Sequence, residues 1–504
     1  MALHIISHSQ THFKILPSED EQGLHDYKRL FFAMKLKVPG HQYMPRYKFG
    51  DWDGTMEFLG YKNGLVKLGL LENVLFLIKQ AGIELKSLDK AIFDNYFTGF
   101  DREEVISWLE KQKVYAKGMQ LYPRDYQLGS VIKALTSKRI LIKSPTSSGK
   151  SLIIYLILKF LKEQLAGKIL IIVPTTNLVN QLYTDFCDYA NIDKLDWIEL
   201  STQRKKGMLG LKKVLISTWQ TLIRQNEPEF WNRFECLIVD EAHHAKAASL
   251  SKISDNMRGT EWRFGFSGSI REDWKDPYYW SIVSQFGSVH STTTTKKLIE
   301  QGQIAQAKAV IIEIDHTSQQ IPKLEYRDEL SYLCSHEKRN SLVERLCGNV
   351  EGNTLILFSL VKLQGKPLYE KLKATYPNKK VLLVYGAIDA GTREEIRRTA
   401  EDNNDVIIVA SYQTYSTGVN IKNLHNIVFA SPTKSFIRIV QSIGRGLRKA
   451  DNKDLCVIYD FFDLLYGDPN KNLRKTNYTY RHFLNRLQIY KQEGFPITML
   501  KEKL

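Results

Sequence analysis

Residues Arg139-Ile-Leu-Ile-Lys143-Ser144-Pro-Thr-Ser-Ser-Gly149-Lys150-Ser151 decide the fold of this chain. A short apolar run ends at Lys143, a serine-rich turn follows, and an apolar segment then continues to Leu165. This order predicts a buried strand, a loop and a helix. The backbone N–H groups of such a loop and of the helix N-terminus face an anion. The segment therefore predicts a triphosphate site on an α/β sheet.

The end of the loop carries the side chains that a triphosphate needs. Lys150 can reach the β- and γ-phosphates, and the hydroxyl of Ser151 can ligate Mg²⁺. The usual pattern begins with glycine where this chain has Ser144, so a serine-rich turn that merely caps a helix is the alternative. The predicted loop set is Ser144, Pro145, Thr146, Ser147, Ser148, Gly149, Lys150 and Ser151.

A second pair of functional side chains follows the apolar run that begins at Cys236. Asp240 and Glu241 come at the carboxyl end of this predicted strand. Asp240 can hold Mg²⁺, directly or through water, and Glu241 can orient and deprotonate the attacking water. An acidic strand-to-helix turn is the alternative, but it rarely follows a Gly-Lys-Ser loop.

Alternation of short apolar runs with helical segments predicts two doubly wound, RecA-like α/β domains. The first series of strands is 139–143, 168–173, 214–217 and 236–240, and the second is 354–359, 380–385, 405–410, 426–430 and 455–459. The preceding part predicts a small α+β accessory domain. The predicted domains are 1–118, 119–295 and 296–504, the last with a basic helix over 478–493.

Composition indicates a globular protein with a polyanionic partner. The chain has 504 residues and a formal net charge of +16, whereas residues 1–118 carry 16 Lys/Arg and 15 Asp/Glu. Nucleic acid is one explanation of this charge; a basic protein without an acidic ligand is the other. Five widely spaced cysteines and no apolar span or signal peptide favour a reduced, cytoplasmic protein without zinc or membrane contact.

Residues 120–450 resemble the superfamily-two helicases. Gln127 matches the adenine-reading segment, Asp240-Glu241-Ala-His243 spells the second motif, and Ser267-Gly-Ser269 stands where the family usually has Ser-Ala-Thr. The resemblance implies ATP and Mg²⁺ as cofactors. It also implies strand contacts through Pro174, Thr175, Gln181, Thr218 and Trp219, and through Thr417 beside the nucleotide-contacting Gly418.

The segment Gln441-Ser-Ile-Gly-Arg445-Gly-Leu-Arg448 matches the last helicase motif. A guanidinium supplied by the second domain stabilises charge that develops on the γ-phosphoryl oxygens. Arg445 and Arg448 lie three residues apart, so one helical face can carry both. The resemblance makes Gln441, Arg445 and Arg448 catalytic candidates, and a merely solvated basic helix is the alternative.

Within this superfamily the chain resembles the phage UvsW-type helicases. The segment Tyr43–Gly54 is similar to an N-terminal signature of that group. Its aromatic residues, Trp52 among them, are interleaved with Arg46 and Lys48 and suit stacking on exposed bases and contact with phosphates, whereas a hairpin that packs Trp52 into a small core is the alternative. Because all ATP-site candidates lie after residue 118, we expect a chain lacking residues 1–118 to keep its ATPase activity.

The resemblance implies fork regression, Holliday-junction branch migration and 3′-to-5′ unwinding, with forked, branched or single-stranded DNA as partner. Replication or recombination proteins of a phage or its bacterial host are possible further partners. Two alternatives stay open. One is an RNA helicase or ribonucleoprotein remodeller, and the other is a nucleic-acid-binding ATPase switch that does not separate strands.

Overall fold

A computed structural model describes residues 3–201, 209–243, 247–319, 321–418, 421, 423–433, 435–449, 453–466 and 476–504. The side chains of residues 247–250, 390, 416–418, 436–438 and 441 lie outside this description. The chain divides into two compact units, residues 1–144 with 149–292, and residues 293–504 with 145–148. No helix in the described ranges is long and apolar enough to cross a membrane.

The first 121 residues form a small sheet with surrounding helices. The elements are β1 (Leu3–Ser7), β2 (His12–Pro17), α1 (Glu21–Ala33), β3 (Lys35–Lys37), α2 (Pro45–Lys48), β4 (Thr55–Glu57), β5 (Leu65–Lys67), α3 (Leu71–Gln80), β6 (Leu85–Leu88), α4 (Lys90–Tyr96), α5 (Arg102–Glu110), β7 (Val114–Ala116) and β8 (Met119–Leu121). The main sheet has the order β5-β2-β1-β6, and β3 pairs with β4 and β7 with β8.

A seven-stranded parallel sheet completes the first unit, in the order β11-β12-β10-β13-β14-β9-β15. Its elements are α6 (Asp125–Leu135), β9 (Arg139–Lys143), α7 (Lys150–Gln164), β10 (Lys168–Val173), α8 (Thr176–Ala190), β11 (Ile198–Ser201), β12 (Val214–Thr218), α9 (Trp219–Leu222), α10 (Pro228–Trp231), β13 (Phe234–Val239), α11 (Ala247–Asn256), β14 (Trp262–Ser267), α12 (Pro277–Phe286) and β15 (Val289–Ser291). The central strands are buried on both faces, as their continuous apolar runs predict.

The second unit contains another seven-stranded parallel sheet, in the order β18-β19-β17-β20-β21-β16-β22. Its elements are α13 (Thr295–Glu300), β16 (Gln306–Asp315), α14 (Tyr326–Ser335), α15 (Glu337–Asn349), β17 (Thr354–Phe358), α16 (Lys366–Thr375), β18 (Lys380–Val384), α17 (Ala390–Asp402), β19 (Val406–Ser411), α18 (Tyr412–Gly418), β20 (Asn426–Phe429), α19 (Phe436–Gly446), β21 (Leu455–Leu464), α20 (Tyr478–Gln492) and β22 (Ile497–Lys503). The predicted class of two parallel α/β sheets preceded by an α+β part is confirmed. The exact predicted boundaries at 118 and 295 stay a prediction.

The accessory sheet and the first parallel sheet share one hydrophobic core. Leu3 and Phe13 belong to the same buried cluster as Leu141, Trp280 and Phe286. On the other side of the parallel sheet, residues of α5 and β7 pack into a second cluster. This cluster includes residues of β9, which leads into the phosphate loop, and of the adjacent strand β14. The first 118 residues therefore cover apolar surface that the parallel sheet cannot leave exposed.

Polar contacts join the same two parts. The ammonium of Lys67 on β5 pairs with Asp255 on α11 at 2.8 Å. Arg139, which is buried on the strand that enters the phosphate loop, donates to the carbonyl of Gln10. A cut at residue 118 exposes this core and removes a partner of the strand, so we expect the shortened chain to be less stable than the intact protein; whether it keeps its ATPase activity stays a prediction.

The backbones of these two parts approach each other closely at Gly69, which predicts a large effect of adding one methyl group. A Cβ at Gly69 would lie 2.3 Å from the carbonyl oxygen of Val283 on α12. We expect Gly69→Ala to lower the free energy of unfolding by about 1–3 kcal/mol, because neither backbone can yield easily. Urea unfolding followed by tryptophan fluorescence measures this change.

Gly129 provides the matched control, since it lies exposed inside α6 and a Cβ there would meet nothing within 4 Å. Gly129→Ala should raise stability by up to about 1 kcal/mol through helix propensity. Equal unfolding midpoints for wild type and Gly69→Ala would show that the two parts do not pack as described.

Candidate active site

The phosphate loop connects β9 to α7 in the predicted manner. The N–H of Ser144 donates to the carbonyl of Ser267 at 3.0 Å, which fixes the start of the loop to the neighbouring strand β14. Ser147 and Gly149 have φ of +69° and +81°. A Cβ at Gly149 would lie 2.3 Å from Nε2 of Gln127, so glycine is required there for both space and conformation.

Lys150 begins α7 and forms the electrostatic centre of the site. Its Nζ donates to Oε1 of Glu241 at 2.6 Å and lies 3.7 Å from Oδ1 of Asp240. The carboxyl ends of β9 and β13 meet at one edge of the parallel sheet, which brings these side chains together. Burial opposes the charge of Lys150, but Glu241 and Asp240 outweigh it and raise the pKa of the ammonium group.

Asp240 is a buried carboxyl group whose environment alters its protonation. Burial raises the pKa of Asp240 to about 6; Lys150 opposes this shift and Glu241 adds to it. The hydroxyl of Ser151 lies 2.8 Å from the hydroxyl of Tyr189. The carboxylate of Asp240 and the hydroxyl of Ser151 are oxygen donors of the kind that Mg²⁺ prefers, so Asp240 and Ser151 fit a magnesium ion.

Glu241 has a backbone conformation that is rare for a residue with a side chain. Its φ is +50°, and its N–H donates to Oδ1 of Asp240 at 2.9 Å. Oε2 of Glu241 lies 3.3 Å from Nδ1 of His243, which lies 2.5 Å from the hydroxyl of Ser267. His243 thus connects the second motif to the Ser267–Ser269 motif. Such strained backbone is typical of functional sites.

Gln127 lies next to the loop, but its side chain already has a structural role. Its Oε1 accepts a hydrogen bond from the N–H of Arg124 at 2.9 Å and closes the N-terminus of α6. The side chain is 4% exposed. Gln127 is therefore held in one orientation beside Gly149, where adenine recognition remains a prediction.

The predicted strand-contacting residues of the first unit lie mainly at one sheet edge. Pro174 and Thr175 follow β10, and Thr218 and Trp219 lie at the end of the adjacent β12. The hydroxyls of Thr175 and Thr218 cap α8 and α9, and Trp219 packs partly against the core. Gln181 is exposed on α8. The residues that follow β10 and β12 therefore lie side by side at this edge. DNA contact by these residues and by Gln181 stays a prediction.

In the second unit, Arg445 and Arg448 both lie near Tyr415 of α18. Arg445 donates to the carbonyl of Tyr415 and its guanidinium lies 5.2 Å from the centre of that ring. Burial raises the pKa of Tyr415 to about 12, against the opposing charges of Arg445 and Arg448. The helix α19 ends at Gly446, so Arg448 lies in the turn after it rather than on the predicted helical face.

Other predicted residues of this unit fall outside the described part. The side chains of Thr417 and Gln441 and the environment of Gly418 are not described, although α18 and α19 include their backbone.

Trp52 does not take the exposed position that base stacking needs. Its indole Nε1 donates to the carbonyl of Thr55 at 2.7 Å, and its side chain is partly buried. The structure therefore favours the packing alternative for Trp52. Arg46 is exposed. Three aromatic side chains of this segment face solvent: Tyr43 and Phe49, which are largely exposed, and Tyr47, which is exposed to a smaller extent.

Comparison with known proteins assigns the chain to a family. Domain models match in three places: "DNA helicase UvsW, N-terminal" at 10–87, "Type III restriction enzyme, res subunit" at 107–272 and "Helicase conserved C-terminal domain" at 337–450. The chain is 32% identical over 515 residues to the ATP-dependent DNA helicase uvsW of Enterobacteria phage T4, covering 99% of each protein. The chain belongs to the UvsW helicases.

Structural comparison agrees with this UvsW assignment. The crystal structure of T4 UvsW matches 100% of both chains at 29% identity, with a TM-score of 0.52. A DNA 3′-5′ translocase, XPB2 of Sulfurisphaera tokodaii, is 24% identical over 66% of this chain and 80% of its own. Dbp5 of S. cerevisiae bound to RNA matches 81% of this chain and 95% of its own at 14% identity and a TM-score of 0.52, which shows the fold alone.

Proposed function

We propose that this UvsW helicase hydrolyses ATP at the Lys150–Asp240–Glu241 site and uses the cycle to remodel branched DNA in recombination and repair. The observation that carries the proposal is the convergence of Lys150 and Glu241 at 2.6 Å on a phosphate loop, in a chain related over 99% of its length to a DNA helicase. The T4 origin of that relative supports action in the cytoplasm of a phage host.

The ion pair between Lys150 and Glu241 suggests how hydrolysis depends on the nucleotide. Without a phosphate, the ammonium of Lys150 neutralises the carboxylate that serves as the general base. A γ-phosphate attracts the same ammonium, and Glu241 is then released to accept a proton from water. The strained backbone of Glu241 and its contact with His243 keep the carboxylate near this position.

Ser151 and Asp240 would hold magnesium, which neutralises negative charge on the β- and γ-phosphates when bound. Gln127 would recognise adenine beside the loop. Arg445 and Arg448 would contact the γ-phosphate from the second unit in the transition state, and Gln441 and Gly418 would complete that side. Their motif and the family support these roles.

The motifs and the family likewise support contact with the DNA strand, for which the residues are Pro174, Thr175, Gln181, Thr218, Trp219 and Thr417.

The raised pKa of Asp240 predicts a pH dependence. With a pKa of about 6, the carboxyl is mostly ionised at pH 7 and mostly protonated at pH 5, and the protonated form does not bind a cation. We expect KM for the magnesium–ATP complex to rise about tenfold from pH 7 to pH 5, measured with the concentration of that complex held constant. Asp240→Asn should bind the complex weakly at both pH values. A KM that is constant over this range contradicts the magnesium role of Asp240.

ATPase assays with different polynucleotides test the proposed substrate class. Forked and four-way DNA should stimulate hydrolysis at least as strongly as single-stranded DNA of equal length, and RNA should stimulate it weakly. Stimulation by RNA alone would instead support an RNA helicase. Equal, low activity with every polynucleotide would contradict coupling to nucleic acid.

A further inference from the structure

The connection between β3 and β4, residues 38–54, is an ordered projection from the accessory sheet. We call it the β3–β4 loop. The N–H of Val38 donates to the carbonyl of Gly54 at 2.8 Å and closes the loop at its base. The indole N–H of Trp52 donates there to the carbonyl of Thr55. Hydrogen bonds of the short helix α2 and of the turn before it stabilise the rest. The backbone of this loop is therefore ordered by hydrogen bonds at its base and along its short helices.

Two aromatic side chains of this loop are largely exposed to solvent, and a third, Tyr47, is exposed to a smaller extent. Tyr43 is 74% exposed and Phe49 is 79% exposed. Exposing large apolar groups on an ordered loop forgoes the free energy that burial would supply, and clustered exposed apolar groups mark interaction sites. Trp52 is less exposed than Tyr43 and Phe49, and its indole N–H is engaged at the base of the loop.

The charges around these aromatic groups leave a small positive excess, which suits an anionic partner but attracts it only weakly. Arg46 and Lys48 are exposed, and neither forms an ion pair with a carboxylate of the described residues. The carboxylate of Asp53 is neutralised by Lys35 at 2.8 Å, and Asp51 offsets part of the remaining charge. Affinity at the loop must therefore come mainly from contact with the aromatic rings.

We propose that Tyr43 and Phe49 of the β3–β4 loop form a stacking surface for unpaired DNA bases, with Arg46 and Lys48 contacting the adjacent phosphates. This inference rests on the proposed function and adds to it the part of the substrate that the accessory sheet recognises. Bases in duplex DNA are stacked on each other and offer no free face. Forks and junctions expose unpaired bases, which aromatic side chains bind without sequence preference.

Binding of forked DNA, measured by fluorescence anisotropy without nucleotide, tests the proposal. Tyr43→Ala and Phe49→Ala should each weaken binding of a fork with unpaired arms by roughly 5- to 100-fold. Binding of a blunt duplex should change less than twofold. Phe49→Trp, which keeps a stacking face, should restore the affinity.

The salt dependence of fork binding distinguishes base stacking from electrostatic attraction. Phe49→Ala should leave the slope of log K against log salt unchanged, whereas Arg46→Gln should reduce its magnitude by about 1. Phe32→Ala is the matched control, because Phe32 is 67% exposed on α1 outside the loop. It should bind the fork as wild type does.

Failure of this inference differs from failure of the proposed function. If both loop variants bind forks normally, or lose duplex affinity equally, Tyr43 and Phe49 do not stack on unpaired bases; a protein partner for the loop then becomes the better explanation. Equal losses with Phe32→Ala contradict a specific surface. In each of these cases, DNA-stimulated ATP hydrolysis by the wild-type protein would still support the proposed function.

Discussion

Replacing Glu241 by glutamine should lower kcat for ATP hydrolysis by about 10²- to 10⁴-fold while ATP still binds. The substitution removes the base but keeps the size of the side chain and its contact with Lys150. Lys150→Ala should instead abolish both binding and turnover, because the phosphates lose their cation. Single-turnover hydrolysis and binding of a fluorescent ATP analogue measure the two quantities separately.

Glu272→Gln is the matched control for this prediction. Glu272 pairs with Lys143 at 2.9 Å, next to the phosphate loop, but it is far more exposed than Glu241. Its substitution should leave kcat within about twofold of wild type, since an exposed ion pair contributes little. Near-normal turnover by Glu241→Gln would show that another group accepts the proton.

Arg445→Ala and Arg448→Ala should each lower kcat by at least about a hundredfold, because loss of an arginine finger removes transition-state stabilisation. DNA binding without nucleotide should change little. Arg445 also holds the carbonyl of Tyr415, so Arg445→Lys and a thermal unfolding curve are needed to separate catalysis from stability.

Lys449→Ala removes an exposed positive charge from the same segment and should retain full activity. If the two arginine variants lose DNA binding and keep normal turnover, these arginines contact the phosphate backbone rather than ATP. Steady-state ATPase assays at saturating DNA, combined with anisotropy, distinguish the two results.

The predicted bounds of the strands that carry the site agree closely with the structure. The strands 139–143 and 168–173 agree with β9 and β10 at both ends, because apolar runs bounded by turn residues leave little freedom in a parallel sheet. The meeting of Lys150 with Glu241 follows from this topology. The capping role of Gln127 could not be predicted, because a motif specifies the order of residues and not which hydrogen bond a side chain makes.

Strands with distant partners were missed. None of the predicted strands covers β16, although β16 pairs with β21 and β22. β22 has a mostly exposed, partly charged sequence at the sheet edge and therefore lacks the apolar signal of a buried strand. Both pairings with β16 span more than 140 residues, so no local pattern indicates them.

Counting charges also does not show which of the arginines reach the surface. Arg486 of the predicted basic helix is 1% exposed and bonds the carboxylate of Asp460 at 2.8 and 2.9 Å. Arg339 is buried beside Asp463 at 2.9 Å. These guanidinium groups stabilise the core of the second unit and cannot attract DNA, and sequence alone does not distinguish them from exposed ones.

The central claim is that ATP hydrolysis at this site drives rearrangement of branched DNA. The most direct measurement is the rate at which a mobile four-way junction resolves into two duplexes, followed by fluorescence transfer between labelled arms. The account predicts resolution by the wild-type protein with ATP, and none by Glu241→Gln or with a non-hydrolysable ATP analogue. DNA-stimulated ATP hydrolysis by the wild-type protein without movement of the junction would contradict the account and support an ATPase switch that does not separate strands.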